Sequence, residues 1–111
     1  MTRILAIIAL LITTPVAAQP DAGVCETIGE FAFFAMEKRQ EGLSLSKFMN
    51  VVNEGNAELG RPALGKVFRM TAILAYEHPI QYNSKQKQKL VTEFRDQILL
   101  NCYKNAEINP N

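Results

Sequence analysis

Val24-Cys25-Glu26-Thr27-Ile28-Gly29-Glu30-Phe31-Ala32-Phe33-Phe34-Ala35-Met36-Glu37-Lys38-Arg39-Gln40 is the stretch on which the fold turns. Val24, Ile28, Phe31 and Ala35 recur at helical spacing, and Ala32, Phe34 and Met36 widen the stripe until much of the circumference is apolar. A helix of this kind belongs at the centre of a domain, touched by neighbours on more than one side. Its end is marked by Lys38 and Arg39, which suit the negative pole of the helix dipole, and by Gly42, which can take the left-handed conformation just past it.

Three more helical patterns follow. Ser44 is a good cap for free backbone amides, Leu43 precedes it, and Phe48 falls where a hydrophobic staple places its inner partner. Leu45, Phe48, Met49 and Val52 give that second helix its buried face, and Asn53-Glu54-Gly55-Asn56 ends it. Residues 57–61 form an irregular turn, and Pro62 suits the first position of a third helix. Leu64, Val67, Phe68, Thr71, Leu74 and Ala75 then make an unbroken amphipathic stripe, flanked by Ile73 and Tyr76. His78-Pro79 stops it, because a residue before proline is pushed out of helical geometry. Ile80 to Asn83 is a link, and Ser84 caps a fourth helix to about Lys104. There Leu90, Val91, Phe94, Ile98 and Cys102 share one face, with Leu99 at its edge. Gly55, Gly60 and Gly65 read as turn and close-packing residues. No alternating stretch amounts to a strand, so the expected fold is an all-α, four-helix domain.

The chain opens Met-Thr-Arg, continues without a polar residue from Ile4 to Ile12, and reaches small residues at Val16 and Ala18. This is the layout of a secretory signal peptide over residues 1–18, cleaved after Ala18. A membrane span needs about 20 apolar residues, so no stable membrane anchor is expected. Cys25 lies beyond the cleavage point, which excludes a lipoprotein. Residues 19–111 then form a single exported helical domain. In an oxidising compartment thiols pair. Cys25 and Cys102 are the only two cysteines, 77 residues apart, and one intramolecular disulfide is the leading reading. Two free buried thiols or an intermolecular bridge are the others. Closing a loop of that size is worth roughly 4 to 5 kcal/mol in the chain-entropy model.

Removal of Arg3 with the leader leaves acidic and basic side chains equal in number. No affinity for nucleic acid follows from such a balance. Residues 19–60 carry seven acids and three bases, and residues 61–111 four acids and eight bases, a polarity able to orient a partner.

Catalytic groups are sparse. His78 is the only histidine, and beside Glu77 at a helix end it reads as a partner of local carbonyls before it reads as a base. Glu30 and Glu37 read as the solvated flank of a core helix. No nucleophile motif, phosphate-binding glycine loop or haem-attachment motif is present, and no metal or cofactor is expected. The aromatic surplus of the first two helices, Phe33, Phe34 and Phe48, is the candidate partner-binding set, with Phe33 turned toward the flank if Phe31 and Phe34 point inward. Lys85, Lys87 and Lys89 are candidate anion contacts, with a solvated helix end as the plainer reading.

The early Cys25, Arg39-x-x-Gly42 followed by Ser44 and Ser46, Tyr76-x-x-Pro79, Ser84 and the late Cys102 together resemble a loose group of small exported helical proteins of proteobacteria and their phages. The resemblance implies a periplasmic helical domain and no particular activity. The leading functional expectation is a non-catalytic interaction module that binds another protein or an apolar segment. The alternatives are a periplasmic stress chaperone, similar in size and disulfide to the small acid-activated ones, and an enzyme using His78.

Overall fold

The computed structural model describes residues 22–108, so the leader and its cleavage point lie outside the described residues. Four helices follow in order: α1 (Ala22–Glu41), α2 (Leu45–Leu59), α3 (Pro62–Tyr76) and α4 (Ser84–Ile108). They run up, down, up and down. α1 lies between α4 and α3, and α2 packs along α3. Its small residues Ala32 and Ala35, fully buried, let the neighbours approach, and Ile28 and Met36 fill the space beside them. Phe48 and Val52 from α2, Leu64, Ala72 and Ala75 from α3, and Val91, Phe94 and Ile98 from α4 complete the core.

The punctuation of α1 and α2 follows from local chemistry. Gly42, at φ +90°, lets its own N–H reach Arg39 O and the Leu43 N–H reach Lys38 O, closing the end of α1. Ser44 Oγ accepts from the Lys47 N–H at 3.2 Å and opens α2. α2 does not end at Asn53–Asn56 as the sequence suggests. It continues to Leu59 and stops at Gly60, at φ +67°. The reason is tertiary: Arg69 Nη1 donates to Asn53 Oδ1, and Asn56 Nδ2 donates to Gly65 O at 3.0 Å. α3 thus holds the turn that propensity alone leaves weak.

Gly55 sits inside this helix with open space where a Cβ would be. Gly55→Ala is therefore expected to stabilise the protein by about 0.5–1 kcal/mol. Urea unfolding measures it, and a destabilised variant would mean that α2 breaks at this turn.

Three further boundaries or faces differ from expectation. Asn83, not Ser84, caps α4, its Oδ1 accepting from the Gln86 N–H at 2.8 Å. α4 also runs past Lys104 to Ile108. α3 is rotated: Gly65 and Ala72 are buried, whereas Val67 and Leu74 are exposed. At Gly65 α3 comes close to α2, since a Cβ there would stand 3.0 Å from the Asn56 side chain. Gly65 and Ala72, being small, permit that approach, and Val67 and Leu74 are left outside.

The Cys25–Cys102 disulfide joins the start of α1 to the end of α4, with Cα atoms 5.7 Å apart. Gly29 lies one turn further along the same contact, where an added Cβ would stand 2.8 Å from Leu99 Cγ. The two helices are in near contact at that point.

Candidate functional site

The candidate aromatic residues are placed unequally. Phe48 is 0% exposed and sits at the hub of a ring cluster, 5.5 Å from Phe34, 6.1 Å from Phe31 and 5.7 Å from Tyr76 between centroids. Phe31 stacks in turn on Phe68 at 4.5 Å. Phe48 is therefore out of reach of any partner in this fold and backs the rings around it. Phe33 is half-buried and packs against the core. It shares the edge of α1 that carries Gly29 and Gln40, both of which meet α4. The exposed aromatic is Phe34, at 37%. The Lys38 ammonium stands 5.5 Å from its ring centroid, and Leu45, also exposed, lies one turn before Phe48 on α2. Phe34 thus lies over the buried Phe48, with the Lys38 cation at its rim.

The lysines at the start of α4 separate as well. Lys87 Nζ donates to Gln40 O at 3.1 Å, so its charge lies at the negative end of α1. Lys89 is 3.9 Å from Glu93 in an exposed pair, and Lys85 is exposed.

Around Lys87 is a polar clasp that sequence reasoning missed. Gln40 is 3% exposed. Its Nε2 donates to Pro79 O at 3.0 Å and its Oε1 accepts from the Gln81 N–H at 2.7 Å. Arg39 Nε donates to His78 O at 2.8 Å, and its guanidinium stacks over the Tyr76 ring at 5.3 Å. Tyr76 Oη donates to Leu43 O at 2.8 Å. The loop between α3 and α4 is thus tied to the end of α1 by hydrogen bonds from the buried Gln40 and the half-buried Arg39. One signal was available: Gln40 falls four residues after Met36 on the buried face, where a polar side chain must have a partner.

His78 belongs to this clasp through its backbone, and its ring meets Phe94 edge-on at 5.5 Å. Among the described residues no group of three or more His, Cys, Asp or Glu side chains is placed to hold a metal ion. None of the helices among them is long and apolar enough to cross a membrane.

Burial raises the Tyr76 phenol above its ordinary value; Arg39 opposes that rise and Glu41 adds to it. The neutral phenol, which donates to Leu43, is favoured in the folded state. The stability it contributes is complete below the unfolded value of about 10 and is lost as pH rises through the folded one. Urea unfolding is expected to show stability falling above pH 10, with a shallower fall in Tyr76→Phe. An equal fall in the variant would assign the effect elsewhere, with Tyr103 as the comparison, since its hydrogen bond to Glu26 raises it too.

Neither a family model, nor a curated protein, nor a solved structure matches the chain, and the functional reading rests on its own residues.

Proposed function

We propose that the protein is an exported, non-catalytic interaction module of the periplasm that engages another protein, or an apolar segment of one, through the corner of α1 and α2. The observation that carries the reading is Phe34, an exposed ring backed by the buried Phe48 and rimmed by Lys38. An anchor of this type binds at low entropic cost because the aromatic floor already holds it in place. The leader layout of residues 1–18 and the disulfide support export to an oxidising compartment. The spacing and burial of the polar groups support a non-catalytic role: Arg39, Gln40 and Tyr76 are occupied in holding the loop, and His78 faces an apolar ring.

The test places a photo-crosslinking amino acid at position 34 of the exported protein. One discrete adduct, identified by mass spectrometry and lost when Leu45→Glu is added, is expected. No adduct, or a spread of adducts indifferent to Leu45, overturns the proposal.

A further inference from the structure

The loops that join α1 to α2 and α3 to α4 lie side by side at one end of the bundle, tied together by Tyr76, Arg39 and Gln40. The bonds from Gln40 fall on either side of Ile80, one to Pro79 O and the other from the Gln81 N–H. Ile80 between them is 44% exposed, and Tyr82 is 100% exposed. A backbone held at Pro79 and Gln81, and again where Asn83 caps α4, thus carries an aliphatic and an aromatic side chain on a projecting tip.

The same end is positive. It consists of the two loops with the last turns of α1 and α3 and the first turns of α2 and α4, residues 38–48 and 73–87. These hold Lys38, Arg39, Lys47, Lys85 and Lys87 against Glu41 and Glu77, five bases to two acids, whereas the rest of the described chain holds six bases and eight acids. Lys38 pairs with Glu41, and no carboxylate pairs with the other four cations among the described residues. Lys47 and Lys85 are exposed in first turns, where the helix dipole disfavours a cation, and neither of those turns has an acid to balance it. Neither ammonium is engaged within the fold.

We infer that this end of the bundle docks on an anionic phospholipid surface, with Tyr82 and Ile80 entering the headgroup layer and Lys47 and Lys85 meeting lipid phosphates. Shape favours lipid over a protein partner. A projecting ring that packs on nothing in its own fold needs a matching hollow in a protein, whereas a fluid headgroup layer closes around it. Tyrosine suits that layer, since its ring is apolar and its hydroxyl stays wet. The surplus of cations supplies attraction to a negatively charged leaflet, felt within a Debye length of the surface. No helix among the described residues is long and apolar enough to cross a membrane, and the contact is peripheral, reversible and sensitive to salt. Phe34 lies about two turns before the end of α1, outside this surface, so the two proposals stand or fall separately.

Flotation of the disulfide-bonded protein with vesicles tests the proposal. At low salt it is expected to float with vesicles of phosphatidylglycerol and phosphatidylethanolamine in equal parts, and not with vesicles of phosphatidylcholine alone. Tyr82→Ala lowers the bound fraction severalfold, and Lys47→Glu with Lys85→Glu lowers it about tenfold. These three side chains are exposed, and a glutamate in the first turn of a helix favours it, so circular dichroism should show the fold intact. The chain has no tryptophan, and the indole of Tyr82→Trp should therefore report entry into the headgroup layer by a blue shift with the anionic vesicles only. Absence of flotation, equal flotation with both vesicles, or an indole emission that does not move overturns the proposal. Flotation lost in the charge reversals but unchanged in Tyr82→Ala also overturns it, and assigns the positive end to an acidic protein instead.

Discussion

Reduction of the Cys25–Cys102 bond is expected to lower the free energy of unfolding by about 4 to 5 kcal/mol, the loop entropy of a 77-residue separation. A domain of this size has about 5–15 kcal/mol in total, so the loss is about a quarter of its stability or more. At about 4–8 °C per kcal/mol the melting temperature falls by roughly 15–40 °C. Folding itself survives reduction at low temperature, because the same ends of α1 and α4 are held by other contacts. Tyr103 Oη donates to Glu26 Oε2 at 2.6 Å, Arg95 lies 4.0 Å from the same carboxylate, and Leu99 packs over Gly29. Reduced protein should therefore keep its far-ultraviolet helix signal at 10 °C and lose it on modest warming. Cys25 is fully buried and Cys102 half-buried, which directs a reducing thiolate to the Cys102 sulfur. The Cys25→Ala/Cys102→Ala variant gives the same equilibrium loss without dependence on reductant access. A melting temperature within a few degrees of the wild type in both experiments would show that the unfolded chain is already held compact by other means.

The disulfide and the four helices were legible because each depends on short-range pattern or on simple counting. Two cysteines allow one intramolecular pair, and Gly42 with Ser44 is read within a few residues of each helix end. What escaped sequence reading was decided by contacts between helices. Asn53 to Asn56 has the composition of a turn, and only Arg69 and Gly65, reaching across from α3, make it helical. On α3 two overlapping stripes satisfy helical spacing, one through Val67 and Leu74 and one through Gly65 and Ala72. Periodicity does not choose between them, because close approach favours the smaller residues. Phe33 and Phe34 pose the same ambiguity on α1, and the position of α4 resolves it: Phe33 lies on the edge toward α4, so Phe34 is the exposed ring. Asn83 and Ser84 are both good caps, and one residue of register decides between them. The clasp of Gln40 was half visible, since a polar residue on a buried face announces a partner without saying which.

Phe48→Ala is the second large expected loss, about 3–5 kcal/mol by urea unfolding with the disulfide intact. The side chain is wholly buried and is the one residue of α2 whose ring meets α1 and the end of α3 together, through Phe31, Phe34 and Tyr76. Its removal leaves a cavity at that junction and withdraws the hydrophobic anchor next to Ser44, so the loss has a location as well as a size. In native-state hydrogen exchange α2 should lose protection first, while α1 and α4, joined by the disulfide and the Gln40 clasp, keep theirs. Phe48→Leu, which retains most of the volume, should cost about 1–2 kcal/mol and leave the order of opening unchanged. Uniform loss of protection across all four helices in Phe48→Ala would mean that the domain opens only as a whole. Crosslinking at position 34 responds to the same substitution: a Phe34 ring that sinks into the vacated space no longer projects, and the adduct yield falls in Phe48→Ala but not in Phe48→Leu. A yield unchanged in both variants would detach the proposed binding corner from its aromatic floor.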